Sequence, residues 1–178
     1  MDIGPILCSK TRYTEGALDL YRSVVFVHAA TILLFFIAHG TSMAVAFKLK
    51  RETDPARVRA LLELSRFSLG APAIVFIVIG LLTGVLAGFL GDWWGSLWIW
   101  ISIGLFALVG GLMTPIATKQ LERVGAAAGM ARRGSDAPPA EDPEELQRLL
   151  AAWNPLPVAA LGMTAFLVIL WLMLAKPF

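Results

Sequence analysis

The sequence predicts an all-α membrane protein built as a bundle of four transmembrane helices. Three observations predict it. Residues 23–47, 72–90, 97–118 and 156–174 are apolar and contain no Asp, Glu, Lys or Arg. Each is long enough, as helix, to cross about 30 Å of hydrocarbon. Charged residues make up only 16% of the chain, hydrophobic ones 57%, and the mean hydropathy is +0.72, whereas a soluble domain carries about 25% charge. Finally, the basic residues gather in two of the three connections. With no water in the bilayer core to satisfy backbone groups, such spans must be helical. The 178 residues leave room for one membrane domain and for no separate soluble enzyme.

The first 22 residues, with Asp2, Lys10, Arg12, Glu15 and Asp19, read as a short exterior tail. Cys8 is the single cysteine and has no partner for an intramolecular disulfide. Span one (23–47) is too long, and begins too late, to be the apolar region of a signal peptide. It holds both histidines, His28 and His39, with Thr31, Thr41 and Ser42. Ionisable residues in a bilayer are costly and face protein or a wet cavity, so span one is the candidate functional helix. Neutral imidazoles there fit haem or copper ligation, or a hydrogen bond to a neighbouring helix. Eleven positions separate the two rings, about 16 Å along one face. They cannot clamp one haem iron together. Met43, Met113, Met163 and Met173 are the other ligands on offer, as is a second chain.

Connection one contains a helix. Asp54 suits the N-cap and Pro55 the first helical position, with Val58, Leu61, Leu62 and Phe67 at helical spacing. Span two (72–90) carries Gly80, Gly84 and Gly88 on one face, where another backbone can come close. Span three (97–118) offers Gly104, Ala107 and Gly111 on a similar stripe. The two stripes are expected to pack together across the tight turn at residues 91–95. The alternative is a homodimer through span two. Trp93, Trp94, Trp98 and Trp100 crowd this end, matched by Trp171 in span four. They read as an interfacial aromatic belt, or as a docking face for a partner or a quinone. Pro115 is expected to bend span three.

Residues 125–141, rich in Gly, Ala and Pro, read as a flexible linker. Asp142-Pro143-Glu144-Glu145 then opens a second connecting helix, with Glu145 placed for a capping box. Asp54-Pro55 and Leu61-Leu62 match Asp142-Pro143 and Leu149-Leu150 at one constant offset. That suggests a parallel repeat of two hairpins, each span, connecting helix, span.

Connection one holds Lys48, Lys50, Arg51, Arg57, Arg59 and Arg66, and connection three Lys119, Arg123, Arg132, Arg133 and Arg148. These are eleven of the fifteen basic residues. The positive-inside rule makes both connections cytoplasmic and puts both termini outside. The same rule accounts for these basic loops without a nucleic-acid partner. No carboxylate lies in any span, and no phosphate loop, Ser-His-Asp set or zinc spacing is present. The sequence therefore names no catalytic or metal-ligating residues.

Several stretches resemble a family of predicted bacterial integral membrane proteins, the domain of unknown function numbered 2269. They are Val27-His28-Ala29-Ala30, Phe47-Lys48-Leu49-Lys50-Arg51, Leu82-Thr83-Gly84, the Trp-rich turn, and Trp171-Leu172-Met173-Leu174-Ala175-Lys176-Pro177. More distantly, the chain is similar to the copper-resistance CopD family and to the haem-dependent protoporphyrinogen oxidases of the HemJ type. The latter likeness implies haem b at His28, the matching position. It also implies a lysine in a later span, but Lys119 falls at a span end, and Gly40 follows His39 rather than His28. Three readings result, all in the bacterial inner membrane. The first is a non-catalytic accessory subunit that packs against itself or a larger membrane complex. The second is a haem- or copper-binding protein using His28 or His39. The third is a small solute or ion permease.

Overall fold

The computed structural model describes the backbone of residues 4–131 and 138–177, and the side chains of 15–131 and 138–177. The surroundings of Cys8, and linker residues 132–137 with Arg132 and Arg133, lie outside the described residues. Every regular element among the described residues is an α-helix: α1 (Gly4–Leu49), α2 (Pro55–Ser68), α3 (Ala71–Leu90), α4 (Leu97–Ala127), α5 (Pro143–Ala152) and α6 (Leu156–Ala175). Four stretches are long and apolar enough to cross a membrane: Glu15–Leu49, Pro55–Leu90 (taking in α2 and α3), Leu97–Ala127 and Leu156–Ala175.

Two boundaries differ from the sequence reading. The segment expected as a tail is helix from Gly4 and continuous with span one. The expected linker begins three residues late, because α4 runs on from Thr118 through Ala127. Lys119-Gln120-Leu121-Glu122-Arg123 are good helix formers, and Val124, Gly125 and Ala127 are buried. Packing therefore overrides the weak propensity of Gly125. Pro115 lies inside α4 without ending it.

Both connecting helices start as their sequences dictate. The Asp54 carboxylate accepts from Ala56 N at 2.9 Å and the Asp142 carboxylate from Glu145 N at 3.0 Å, each followed by Pro at the first helical position. The capping box at α5 is only half formed. The Asp142 N–H is taken by the Ala127 carbonyl at 2.9 Å. Glu145 turns instead to Arg148 at 2.6 Å, and that hydrogen bond raises the pKa of the exposed guanidinium above its ordinary value.

The helices pair as two hairpins. α1 packs along α3 and α4 along α6, with α2 against α1 and α5 against α4. The hairpins meet at three levels. Midway, Phe36 of α1 stacks on Phe166 of α6, ring centroids 3.9 Å apart. At the end of the α3–α4 turn, Trp98 and Ile99 of α4 bury against Leu172 of α6 within one hairpin, and Trp93, packed alongside with Trp94, bonds Tyr21 of α1 in the other. At the other end lies the largest core: Val45, Leu49, Val58, Leu62, Val124, Ala127, Ala128, Met130, Leu146 and Leu150. Val58 and Leu62 of α2 correspond, at the repeat offset, to Leu146 and Leu150 of α5, and all four are at most 2% exposed. Arginines of α2 lace this core shut. Arg59 donates to the Ala128 carbonyl at 3.0 Å and pairs with Glu141, while Arg66 reaches the Ala131 carbonyl at 3.4 Å. Ser42 of α1 and Ser65 of α2 share a buried hydrogen bond of 2.6 Å.

Elsewhere the spans are open. At most 17% of the most apolar window of each is buried. The accessible surface is 11666 Å² for a 19.2 kDa chain, against about 8,400 Å² for a compact soluble monomer of that mass. Among the exposed side chains are Ile74, Val78, Leu82, Leu108, Leu112 and Leu167, which suits contact with lipid tails.

Three helix ends use left-handed residues, Gly129 after α4, Asp92 after α3 and Lys176 after α6. At the end of α4, Met130 N–H bonds Gly125 O at 2.8 Å and Gly129 N–H bonds Ala126 O at 3.0 Å, with Gly129 at φ 76°. This is a Schellman motif, for which glycine is the usual residue. A Cβ at Gly129 would lie 2.7 Å from Glu141 Cγ. Gly129→Ala is expected to lower stability by about 1–2 kcal/mol, read by thermal unfolding in detergent. The end of α3 repeats the pattern with Asp92, a non-glycine at φ 56°.

Candidate functional site

The site is built on one face of α1. His28, Ile32, Phe35 and His39 recur at intervals of four, three and four, which aligns them along a helix. The upper part of that face meets the glycine stripe of α3. A Cβ added at Gly80 would lie 3.0 Å from Ile32 Cδ1, and one at Gly84 2.9 Å from His28 Cε1. The missing side chains form a notch in which the imidazole lies.

Hydrogen bonding fixes the ring. His28 Nδ1 is 2.9 Å from the Gly80 carbonyl oxygen. A carbonyl only accepts, so Nδ1 is the donor of that bond, and in the neutral tautomer Nε2 is the nitrogen with the free lone pair. The Thr83 hydroxyl lies 3.5 Å from Nδ1 and donates to its own helix at Ile79 O, 2.7 Å away. Thr31 is likewise returned to its helix, donating to Val27 O. Among the described residues Nε2 has no hydrogen-bond partner.

His39 differs. Its ring is half-buried and stacks on Phe35, centroids 5.8 Å apart, and no described residue hydrogen-bonds it. The two histidines share a helix and are not brought together. No group of three or more His, Cys, Asp or Glu converges among the described residues.

The glycines depart from expectation in their partners. The stripe of α3 is covered by α1, not by span three. Gly88 is covered by Trp94, whose Cε2 would lie 3.0 Å from an added Cβ. At Gly104, Gly110 and Gly111 an added Cβ would meet nothing within 4 Å. Periodicity reveals a face that accepts a close neighbour, but not which neighbour arrives. α1 brings bulky Ile32 and His28 that fill the notch, whereas α4 packs against α6. One packing glycine was missed: Gly162 of α6 receives Met113 of α4, whose Cε would lie 2.9 Å from an added Cβ. The signal was present in the small residues Ala159, Gly162 and Ala165 at spacing three.

The tryptophans divide. Trp100 and Trp171 are exposed, at 54% and 57%, as a belt requires. Trp98 is not a lipid-facing belt residue: it is 6% exposed and packs on Leu172. Trp93 Nε1 donates to the Tyr21 hydroxyl at 3.2 Å, and Lys176 Nζ lies 4.0 Å above the Trp93 ring. That pair ties the end of α6 to the turn. The indole N–H of Trp94 is buried without a hydrogen-bond partner among the described residues.

The model of the family described as "Predicted integral membrane protein (DUF2269)" matches residues 22–177. No curated protein and no solved structure matches the chain.

Proposed function

The chain belongs to the DUF2269 family of predicted integral membrane proteins, and from that premise we propose that it is a small non-catalytic subunit of a larger membrane assembly. One observation carries the reading. His28, which reaches across to a second span, is bound to the Gly80 carbonyl and seated in the Gly84 notch. Its chemistry is used to hold α1 on α3. The Gly104–Gly111 face of α4 then supplies a place where another helix can approach closely. The partner is a second copy of the chain or a larger membrane subunit.

The test is purification from native membranes in mild detergent with a mass census of what accompanies the chain. A stoichiometric assembly is expected in the wild type. It is expected to be lost in the Gly104→Leu/Gly111→Leu variant, whose own fold stays intact. A lone monomer across several mild detergents would end this reading.

The proposed setting is the bacterial inner membrane, with both connecting helices in the cytoplasm and both termini outside. A tag at the C-terminus is accordingly expected to be removed by external protease in intact spheroplasts. Protection of that tag would reverse the orientation.

A second reading, haem b or copper at His28 or His39, is favoured by one feature. A backbone carbonyl on one imidazole nitrogen with the other left free is the arrangement that orients ligating histidines. His28 has it and His39 does not. His28 would hold the group through Nε2, and haem held there would supply a one-electron redox centre. A Soret band in the wild type that vanishes in His28→Ala would establish it. Equal haem and copper content in the wild type and the double histidine variant would remove it.

A further inference from the structure

α2 has two apolar faces, and the fold uses only one. Val58, Leu62 and Ser65 point into the core. On the opposite side Ala56, Ala60, Leu64 and Phe67 are exposed, Leu64 at 47% and Phe67 at 72%. Their spacing of four, four and three makes them one stripe. A phenylalanine so bare is out of place in water. Three residues beyond it the chain enters α3, where exposed Ile74, Val75 and Val78 continue the apolar surface.

Charge flanks this stripe on the chain before it. Lys48, Lys50 and Arg51 are exposed, and none makes an ion pair among the described residues. The neighbouring carboxylates are engaged elsewhere. Glu52 accepts from the Thr53 and Asp54 backbone N–H groups, and Asp54 caps α2. Glu63, on the rim of the outer face, is the remaining exposed acid of α2.

We propose that α2 lies in the membrane interface on an anionic phospholipid leaflet, with Leu64 and Phe67 in the acyl boundary and Lys48, Lys50 and Arg51 at the phosphates. Two things on the molecule choose this occupant. The stripe is continuous in the chain with the lipid-facing surface of α3, and the unpaired cations complement anionic headgroups. A helix with an exposed apolar stripe and basic residues close by in the chain settles in that layer. The arrangement is independent of any partner on α4.

Nitroxide labels test it. Cys8 is the only native cysteine, so Leu64→Cys, Phe67→Cys and Thr53→Cys are made in a Cys8→Ser background. Each is labelled and reconstituted in vesicles of 3:1 phosphatidylcholine and phosphatidylglycerol. Labels at 64 and 67 are expected to collide more with oxygen, which gathers in hydrocarbon, than with a water-soluble nickel chelate. The label at 53 is expected to do the reverse. Nickel exceeding oxygen at 67 would overturn the proposal. So would low collision with both agents, because a second copy or another protein would then cover the stripe. The charges are read separately, by the selectivity for spin-labelled phosphatidylglycerol over phosphatidylcholine. In the Lys48→Gln/Lys50→Gln/Arg51→Gln variant it is expected to fall at least ~2-fold, since one cation near an anionic surface is worth roughly fivefold. Unchanged selectivity would refute the headgroup contact.

Discussion

Gly84→Leu is expected to force α1 away from α3 and to cost about 2–4 kcal/mol, combining overpacking with a lost intramembrane hydrogen bond. The first carbon of the new side chain already falls 2.9 Å from His28 Cε1. The remaining carbons have no room unless the imidazole leaves. When it leaves, the 2.9 Å bond from Nδ1 to Gly80 O breaks, and a polar ring is stranded in hydrocarbon. The helix backbone cannot absorb this, because the glycine stripe is what lets α1 come close. Gly104→Leu is the matched control. It adds the same bulk to a span where nothing lies within 4 Å, so the stability of the isolated chain should move by less than about 0.5 kcal/mol. His28→Ala in the Gly84→Leu background should recover part of the loss, since the obstructing ring is gone. Thermal unfolding of the four proteins in one detergent measures all of this. Equal destabilisation at positions 84 and 104 would contradict the packing described.

The second large effect is expected outside the spans. Leu146→Ala should cost about 2–5 kcal/mol, the range for deleting a fully buried leucine. Leu146 is 0% exposed in the core that joins both hairpins. Leu161→Ala, at a position 48% exposed on α6, should cost little. The contrast follows from the solvent. Between spans, lipid tails are as apolar as leucine and offer no hydrophobic drive for association. Where the connecting helices reach water, each buried methylene counts. The same substitution should also loosen the Arg59–Glu141 contact, visible as faster proteolysis between α4 and α5. Comparable losses at 146 and 161 would mean that the connecting-helix core is not the main source of stability.

How much of this could be read from the chain follows from what each residue type encodes locally. The spans were legible because about twenty uncharged residues in a row admit few alternatives. Asp54-Pro55 and Asp142-Pro143 announced two helices because capping is decided within four residues. The late end of α4 was hidden, since Gly125 reads as a breaker until Leu62 and Met130 are known to surround it. The partner of the Gly80–Gly84 stripe was hidden for a similar reason. The stripe lies on one helix and its occupants on another, about fifty positions away in the chain. His28 was visible as an unusual residue. Its engagement with Gly80 was not, because nothing local records a bond across that separation.

The division into two hairpins with a shared end-core sets an order of events at the ribosome. α1 and α3 can pair as soon as residue 90 has emerged. Val58 and Leu62 must then wait for Leu146 and Leu150, which lie 88 positions later. At about 5–20 residues per second the delay is roughly 4–18 s. Throughout that interval the half-made protein presents a greasy helix face that only Val45 and Leu49 of α1, and then the end of α4, can partly cover, within reach of the insertion machinery and of any neighbouring nascent chain.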